Sequence, residues 1–471
     1  MIYNTLHLVI KQMKLQQTEN TSVHPNLKSI FLMIFIMTGT LISAQTPKAA
    51  QSPPMGWNSY HSFGASVKEN EVLENAGFME KHLKKFGWQY VVIDYCWYFP
   101  YPAALINPAQ GEGFTPGFTM DRFGRLFPTE DRFPSAANNK GFKPLADNIH
   151  KKGLRFGIQI MRGIPRQAVA ANTQIKGSRY HARDIADTNS TCTWLNHMYG
   201  VDMDKPGAQE YYNSLLELYA GWGVDFVKVE DIASPFREKE IAAIRKAIIH
   251  CGRPMVLSIA SGETPLVKAE YASDYADTWR ISNDFRDNWK SLQQMFALLN
   301  KWEGYIGPGH FPDADMLPVG MLSRRGPGEE QRKSEFTRSE LVTLMTLWCI
   351  ARSPLMYGGD LSMIRPFELS LLQNKAVLKV NQNSVSNRQL FRSDDQVAWT
   401  ADDPETGEIY VAVFNLGEST QLISINLKEL GFDGNCQVTD LWSGDLLGSF
   451  QSFMRPEVLP HGARLLRLSE K

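Results

Sequence analysis

The segment Val224-Asp225-Phe226-Val227-Lys228-Val229-Glu230-Asp231-Ile232 decides how the rest of the chain is read. Val224 to Val229 is β-branched and aromatic and predicts a short buried strand. It comes after the helix-like run Tyr211 to Tyr219. The strand ends in charge: Lys228, Glu230 and Asp231. A charged side chain inside a buried strand is costly unless it is paired or used. Strand alternation puts Lys228 and Glu230 on one face and Asp231 on the other. An ammonium beside a carboxylate at a strand's C-terminal end is how a parallel barrel presents chemistry. A strand end emerging into solvent with a surface ion pair is the competing reading.

Outward from this segment, strand-like and helix-like runs alternate from about residue 55 to about residue 365. The strand candidates are Trp88–Asp94, Leu154–Ile160, Val224–Val229, Pro254–Ala260, Thr278–Ser282 and Ser353–Tyr357. Runs of helical period lie between them: Glu69–Lys85, Phe142–Lys152, Ile241–His250, Trp289–Asn300 and Glu335–Arg352. Repeated β-then-α units argue for a parallel sheet, and a (β/α)8 TIM barrel is its closed form. A doubly wound open sheet competes, but no glycine-rich phosphate loop comes after an early strand. From Lys379 the pattern changes to short alternating runs such as Val397–Thr400, Ile409–Phe414, Leu422–Leu427, Gln437–Leu441 and Ala463–Leu468, bounded by turn residues. The expected organisation is an α/β barrel over residues 45–375 and a C-terminal antiparallel β-sandwich over 376–471. The Pro-, Gly- and Phe-rich segment Tyr98–Arg132 reads as a long loop at the barrel mouth.

The 471 residues are 43% hydrophobic and 21% charged, with net charge −1. That is ordinary globular composition and suggests neither nucleic acid nor an anionic membrane surface as partner. The apolar run Ile30–Ile42 comes shortly after Lys28 and stops at Ser43-Ala44-Gln45, which reads as a signal peptide over residues 1–44. The implied location is periplasmic or extracellular, with no membrane span in the mature protein. Five scattered cysteines form no CxxC pair, and ten histidines show no HxH or HxxxH spacing. No metal site and no cofactor is expected.

Several strand ends carry residues able to do chemistry. Asp94 ends Val91-Val92-Ile93-Asp94, with Tyr95 next in the chain. Asp284 comes directly after Trp279-Arg280-Ile281-Ser282-Asn283. Asp313 and Asp315 share one short stretch, and Trp57 lies near the first strand. On a barrel these converge on one rim. Carboxylates, an arginine, a lysine and aromatic rings together make a sugar pocket. Singly each has a plainer role: Asp94 or Asp315 as a helix cap, Arg280 as an ion-pair partner, Trp57 as core.

With these pieces in order, the chain resembles glycoside hydrolase family 27, the α-galactosidase family, from about Pro53 to about Gln382. The resemblance rests on Pro54-Met55-Gly56-Trp57-Asn58, Val92-Ile93-Asp94-Tyr95-Cys96-Trp97, the stretch Trp222 to Glu230, Trp279-Arg280, Asp313-Ala314-Asp315-Met316-Leu317 and Ser353-Pro354-Leu355-Met356. It implies a retaining exo-glycosidase that needs no cofactor and acts on terminal α-D-galactosyl or galactose-like residues. The nucleophile position falls on Glu230 and the acid/base on Asp284. Substrate-binding positions fall on Trp57, Asp94, Tyr95, Lys228, Arg280 and Asp315.

Two departures stand out. Glu230 replaces the family's aspartate, and the added methylene displaces the carboxylate by about one C–C bond. Either Glu230 or its neighbour Asp231 serves as nucleophile, strand parity favouring Glu230, or the protein binds sugar without cleaving it. Tyr95 replaces a second aspartate that contacts the far edge of galactose. A phenol cannot accept two hydroxyl hydrogen bonds as a carboxylate does. A sugar lacking the exocyclic hydroxymethyl, such as β-L-arabinopyranose, is the alternative substrate.

Overall fold

The computed structural model describes residues 48–100, 117–325 and 330–470. The expected signal segment and residues 101–116 of the long mouth loop lie outside the described residues. Among those described, no helix is long and apolar enough to cross a membrane.

Eight strands form one parallel sheet: β1 (Met55–Asn58), β2 (Tyr90–Ile93), β3 (Arg155–Met161), β4 (Phe226–Glu230), β5 (Val256–Ile259), β6 (Thr278–Arg280), β7 (Phe311–Asp313) and β8 (Leu355–Tyr357). Neighbours in sequence are neighbours in space, and β1 pairs with both β2 and β8. The remaining seam, between β7 and β8, is closed by Leu317. Its N–H donates to Met356 O at 2.8 Å, and Gly358 N–H donates to Leu317 O at 2.9 Å. The sheet is therefore an α/β barrel. Every residue of β4 is buried, as expected of a parallel strand covered on both faces. Its register sets Gln159 of β3 beside Lys228 and Met161 beside Glu230.

The helix before β4, Ala208–Trp222, stops at Gly223, whose φ of 88° is left-handed. Its N–H donates to the carbonyls of Ala220 and Tyr219, and the chain enters β4 three residues later. Only glycine adopts that conformation without a Cβ penalty.

Between β3 and this helix lies an antiparallel three-stranded sheet of Ile164–Pro165, Met198–Val201 and Ala186–Thr191, with Met198–Val201 in the middle. The C-terminal part is a six-stranded antiparallel sheet in the order Val385–Ser393, Gln396–Asp402, Ile409–Asn415, Ala463–Glu470, Cys436–Asp440, Leu446–Phe450. Two short strand pairs accompany it, and Val411, Val413, Ile425, Val438, Leu466 and Leu468 share its core. It docks on the barrel helix Arg338–Ile350. Thr343 donates to His461 O at 2.7 Å, and the Trp442 indole donates to Thr346 Oγ1 at 2.9 Å.

Three elements differ from the sequence expectation. Glu69–Lys85 is α-helical only to Phe78, then winds as a π-turn over Met79–Leu83 and a 3-10 turn over Lys84–Phe86. Hydrophobic period does not distinguish these three hydrogen-bond patterns. Strand β7 contains Pro312, which cannot donate to a ladder and hides the strand. Val385–Ser393 is a polar, largely exposed edge strand with no apolar alternation to reveal it. All five cysteines are free, four of them buried.

Replacing Gly223 with Ala should cost about 1–2 kcal/mol of stability. A lowered urea midpoint with kcat unchanged is the expected result.

Candidate active site

The carboxyl ends of the barrel strands surround a cavity of about 690 Å³. Its lining includes Asp94 and Tyr95 after β2, Gln159 of β3, Lys228 and Glu230 of β4, Arg280 of β6, Asp284 and Asp315. This is where a parallel barrel collects functional side chains.

Lys228 is the centre of one half of the site. Its Nζ lies 3.1 Å from Asp94 Oδ2 and 3.0 Å from Glu230 Oε1. Burial works against the ammonium, but Asp94 and then Glu230 outweigh it and hold Lys228 charged, above the ordinary lysine range. Asp94 is fixed in turn by Asn58, whose side-chain amide donates to Oδ2 at 2.8 Å, and by its own N–H donating to Ser59 Oγ at 2.9 Å. Burial pushes the Glu230 carboxyl above its ordinary range. Lys228 and Arg280 oppose that shift, and Asp94 adds to it.

Arg280 organises the other half. One guanidinium nitrogen lies 2.8 Å from Asp315 Oδ2 and 3.3 Å from Asp284 Oδ1. Asp315 also accepts from the N–H groups of Phe285 and Met316. The Asp284 side chain remains 64% exposed at the mouth. What burial it has raises its carboxyl, but Arg280 and Lys228 outweigh this and hold it below the ordinary range. Asp313, behind Arg280, is pushed up to about 6 by burial. The site thus offers a buried carboxylate on the floor, a second carboxylate at the mouth, and a cation beside each.

Two residues expected here stand elsewhere. Asp231 has a left-handed φ of 60°, and its carboxylate turns to Arg162 at 2.9 Å, out of the cavity lining. Arg162 also donates to the Asp231 carbonyl at 2.7 Å and to Glu240 at 3.0 Å. Asp231 therefore belongs to a buried ion network beneath the strand end, away from the cavity where the alternative nucleophile was expected. Trp57 has no exposed surface. Its indole N–H donates to Gly359 O at 2.9 Å and its ring packs edge-on to Phe63. It is core, not a sugar-stacking ring.

The aromatic lining comes instead from Tyr60, three residues after Trp57, with Tyr95 beside it at 5.5 Å between ring centres. Burial first, and nearby carboxylates second, hold the Tyr60 phenol protonated. Burial does the same for Tyr95. Gln159 and Trp194 were also missed. A lone glutamine inside the apolar run Phe156 to Met161 was a readable signal for the first. Trp194 lies in an irregular turn and gave none.

A parallel barrel with paired carboxylates and cations at its carboxyl rim has the makings of a glycoside hydrolase. A protein-family model described as alpha galactosidase A matches residues 199–383, and one for the alpha galactosidase C-terminal beta sandwich domain matches residues 393–468. A β-L-arabinopyranosidase of glycoside hydrolase family 27 from Geobacillus stearothermophilus is 50% identical, covering 90% of this chain and 97% of that one with a TM-score of 0.86. Alpha-galactosidase A of Cellvibrio japonicus is 27% identical, covering 94% of this chain and 100% of its own. Alpha-galactosidase 2 of Arabidopsis thaliana is 26% identical, covering 90% of each. The chain belongs to glycoside hydrolase family 27 and is a glycoside hydrolase.

Glu230 must be ionised to act as a nucleophile, so kcat/KM should fall as pH drops through its raised value. The acid limb is expected above the ordinary glutamate value of about 4.3. Lys228→Met removes the cation that favours the carboxylate and should move that limb to still higher pH in a pH–rate profile.

Proposed function

We propose that the protein is a retaining exo-glycosidase that removes terminal α-D-galactosyl or galactose-like residues from oligo- and polysaccharides. The observation that carries this reading is Glu230, buried on the floor against Lys228, sharing its cavity with the exposed carboxylate of Asp284. Glu230 attacks the anomeric carbon as the glycosidic C–O bond breaks, and Asp284 gives its proton to the departing oxygen. Water then attacks the same carbon, returns a proton to Asp284 and releases Glu230. A sugar seated over Asp284 strips water from the carboxylate, which raises its pKa toward the protonated form the first step needs. Asp94, Lys228, Arg280 and Asp315 hold the sugar hydroxyls.

A second reading of the substrate is β-L-arabinopyranose. It is supported by Tyr95, whose ring, packed on Tyr60, occupies the place of a carboxylate that would receive galactose's hydroxymethyl hydroxyl. The 50% identity to a β-L-arabinopyranosidase supports the same reading. The run Ile30–Ile42 supports export to the periplasm or beyond.

Glu230→Gln should lower kcat by more than about 1000-fold, and a 2-fluoro-glycosyl fluoride should label Glu230 in an intact-protein and peptide mass measurement. Asp231→Asn should take the same label on Glu230. Full activity in the Glu230 variant defeats the assignment. Separately, Tyr95→Asp should move the ratio of kcat/KM on nitrophenyl α-D-galactoside to that on the β-L-arabinopyranoside toward galactose by about tenfold or more.

A further inference from the structure

Trp194 is 40% exposed and, among the described residues, is the exposed large apolar side chain that also lines the catalytic cavity. It sits in the turn between the strands Ala186–Thr191 and Met198–Val201, in the insertion after β3. That turn is tied down through Asn196 and His197. Arg166 donates to Asn196 O at 3.2 Å and through its own N–H to His197 O at 3.0 Å. The His197 ring meets Tyr98 Oη at 2.6 Å and packs among Phe99 and Phe118. The backbone is thus held by the segments after β2 and β3 while the indole is left in solvent.

The strand-end residues account for one sugar ring. Further lining comes from loops, among it Trp194 and Leu195 from the β3 insertion, Ser234 after β4, and Asn283 and Arg286 after β6. Asp284, the proton donor to the bridging oxygen, stands among these loop residues at the mouth. A second sugar joined through that oxygen must lie over the same loops. Its apolar C–H face needs a flat apolar partner, and an indole, large and rigid on a held backbone, is one with little rotamer entropy to lose.

We propose that Trp194 is the platform of a leaving-group subsite, stacking on the sugar attached to the terminal residue and steering its glycosidic oxygen to Asp284. This rests on the exo-glycosidase reading above and adds a second binding position to it. During the first step the bond to the terminal anomeric carbon passes from the bridging oxygen to Glu230, and the second sugar departs from Trp194 as a free alcohol carrying the Asp284 proton.

The test compares a glycosyl fluoride, whose leaving group has no ring, with a disaccharide bearing the same terminal sugar. The terminal sugar is whichever of α-D-galactose or β-L-arabinopyranose the wild-type protein cleaves from nitrophenol. In Trp194→Ala the ratio of kcat/KM for disaccharide to fluoride should fall roughly three- to tenfold, and Trp194→Phe should restore most of it. A ratio equal to wild type, or equal losses on both substrates, overturns the subsite. Wild-type protein that cleaves neither the fluorides nor the nitrophenyl glycosides overturns the exo-glycosidase reading instead, and the subsite with it.

Discussion

The ammonium of Lys228 stands between the carboxylates of Asp94 and Glu230, all three withdrawn from water at the barrel's carboxyl end. Two carboxylates this close would repel, and one would take up a proton, without the shared cation. Buried ion pairs of this kind seldom stabilise a fold, because desolvation offsets the Coulomb gain. What they provide is preorganisation: the charges are fixed in the cavity before any ligand enters, which is how an enzyme avoids reorganisation during a reaction. The Asn58 amide and Ser59 hydroxyl fix Asp94, so the arrangement extends from β1 to β4 through one chain of contacts.

Beneath that chain a second network steers the backbone. Arg162 reaches the carbonyl and carboxylate of Asp231 and continues to Glu240, whose other oxygen accepts from Tyr212 at 2.5 Å. Arg162 N–H also donates to Glu230 O at 3.1 Å. Asp231 is held in a left-handed conformation that costs a non-glycine residue free energy. Its side chain is thereby turned away while Glu230 stays directed at the cavity. The longer glutamate is accommodated on a strand end whose direction is set from below.

The mouth obeys a different logic from the floor. Asp94, Lys228, Glu230 and Arg280 are placed by strand register, which tolerates little variation. Tyr60, Tyr95, Trp194 and Asp284 are placed by the loops and turns between strands, where chain length and composition are freer. The residue at position 95 can therefore change without disturbing the charges on the strand ends.

The barrel, the sandwich and the charged strand ends were all legible in the amino-acid order alone. Alternating apolar periods and buried charge are local properties, and Val224–Ile232 displays both. Parity along β4 also settled that Lys228 and Glu230 share a face. Other features depended on long-range packing. Trp57 and Tyr60 are both aromatic and close in sequence, and only the fold shows the first sealed against Gly359 and the second lining the cavity. Asp231 reads in the sequence as a neighbour equivalent to Glu230, and only the fold shows Arg162, 69 residues away, turning it from the cavity. Trp194 had no signal at all, because an irregular turn gives no periodicity, and its place at the mouth comes from Asn196 and His197 being held by Arg166 and Tyr98.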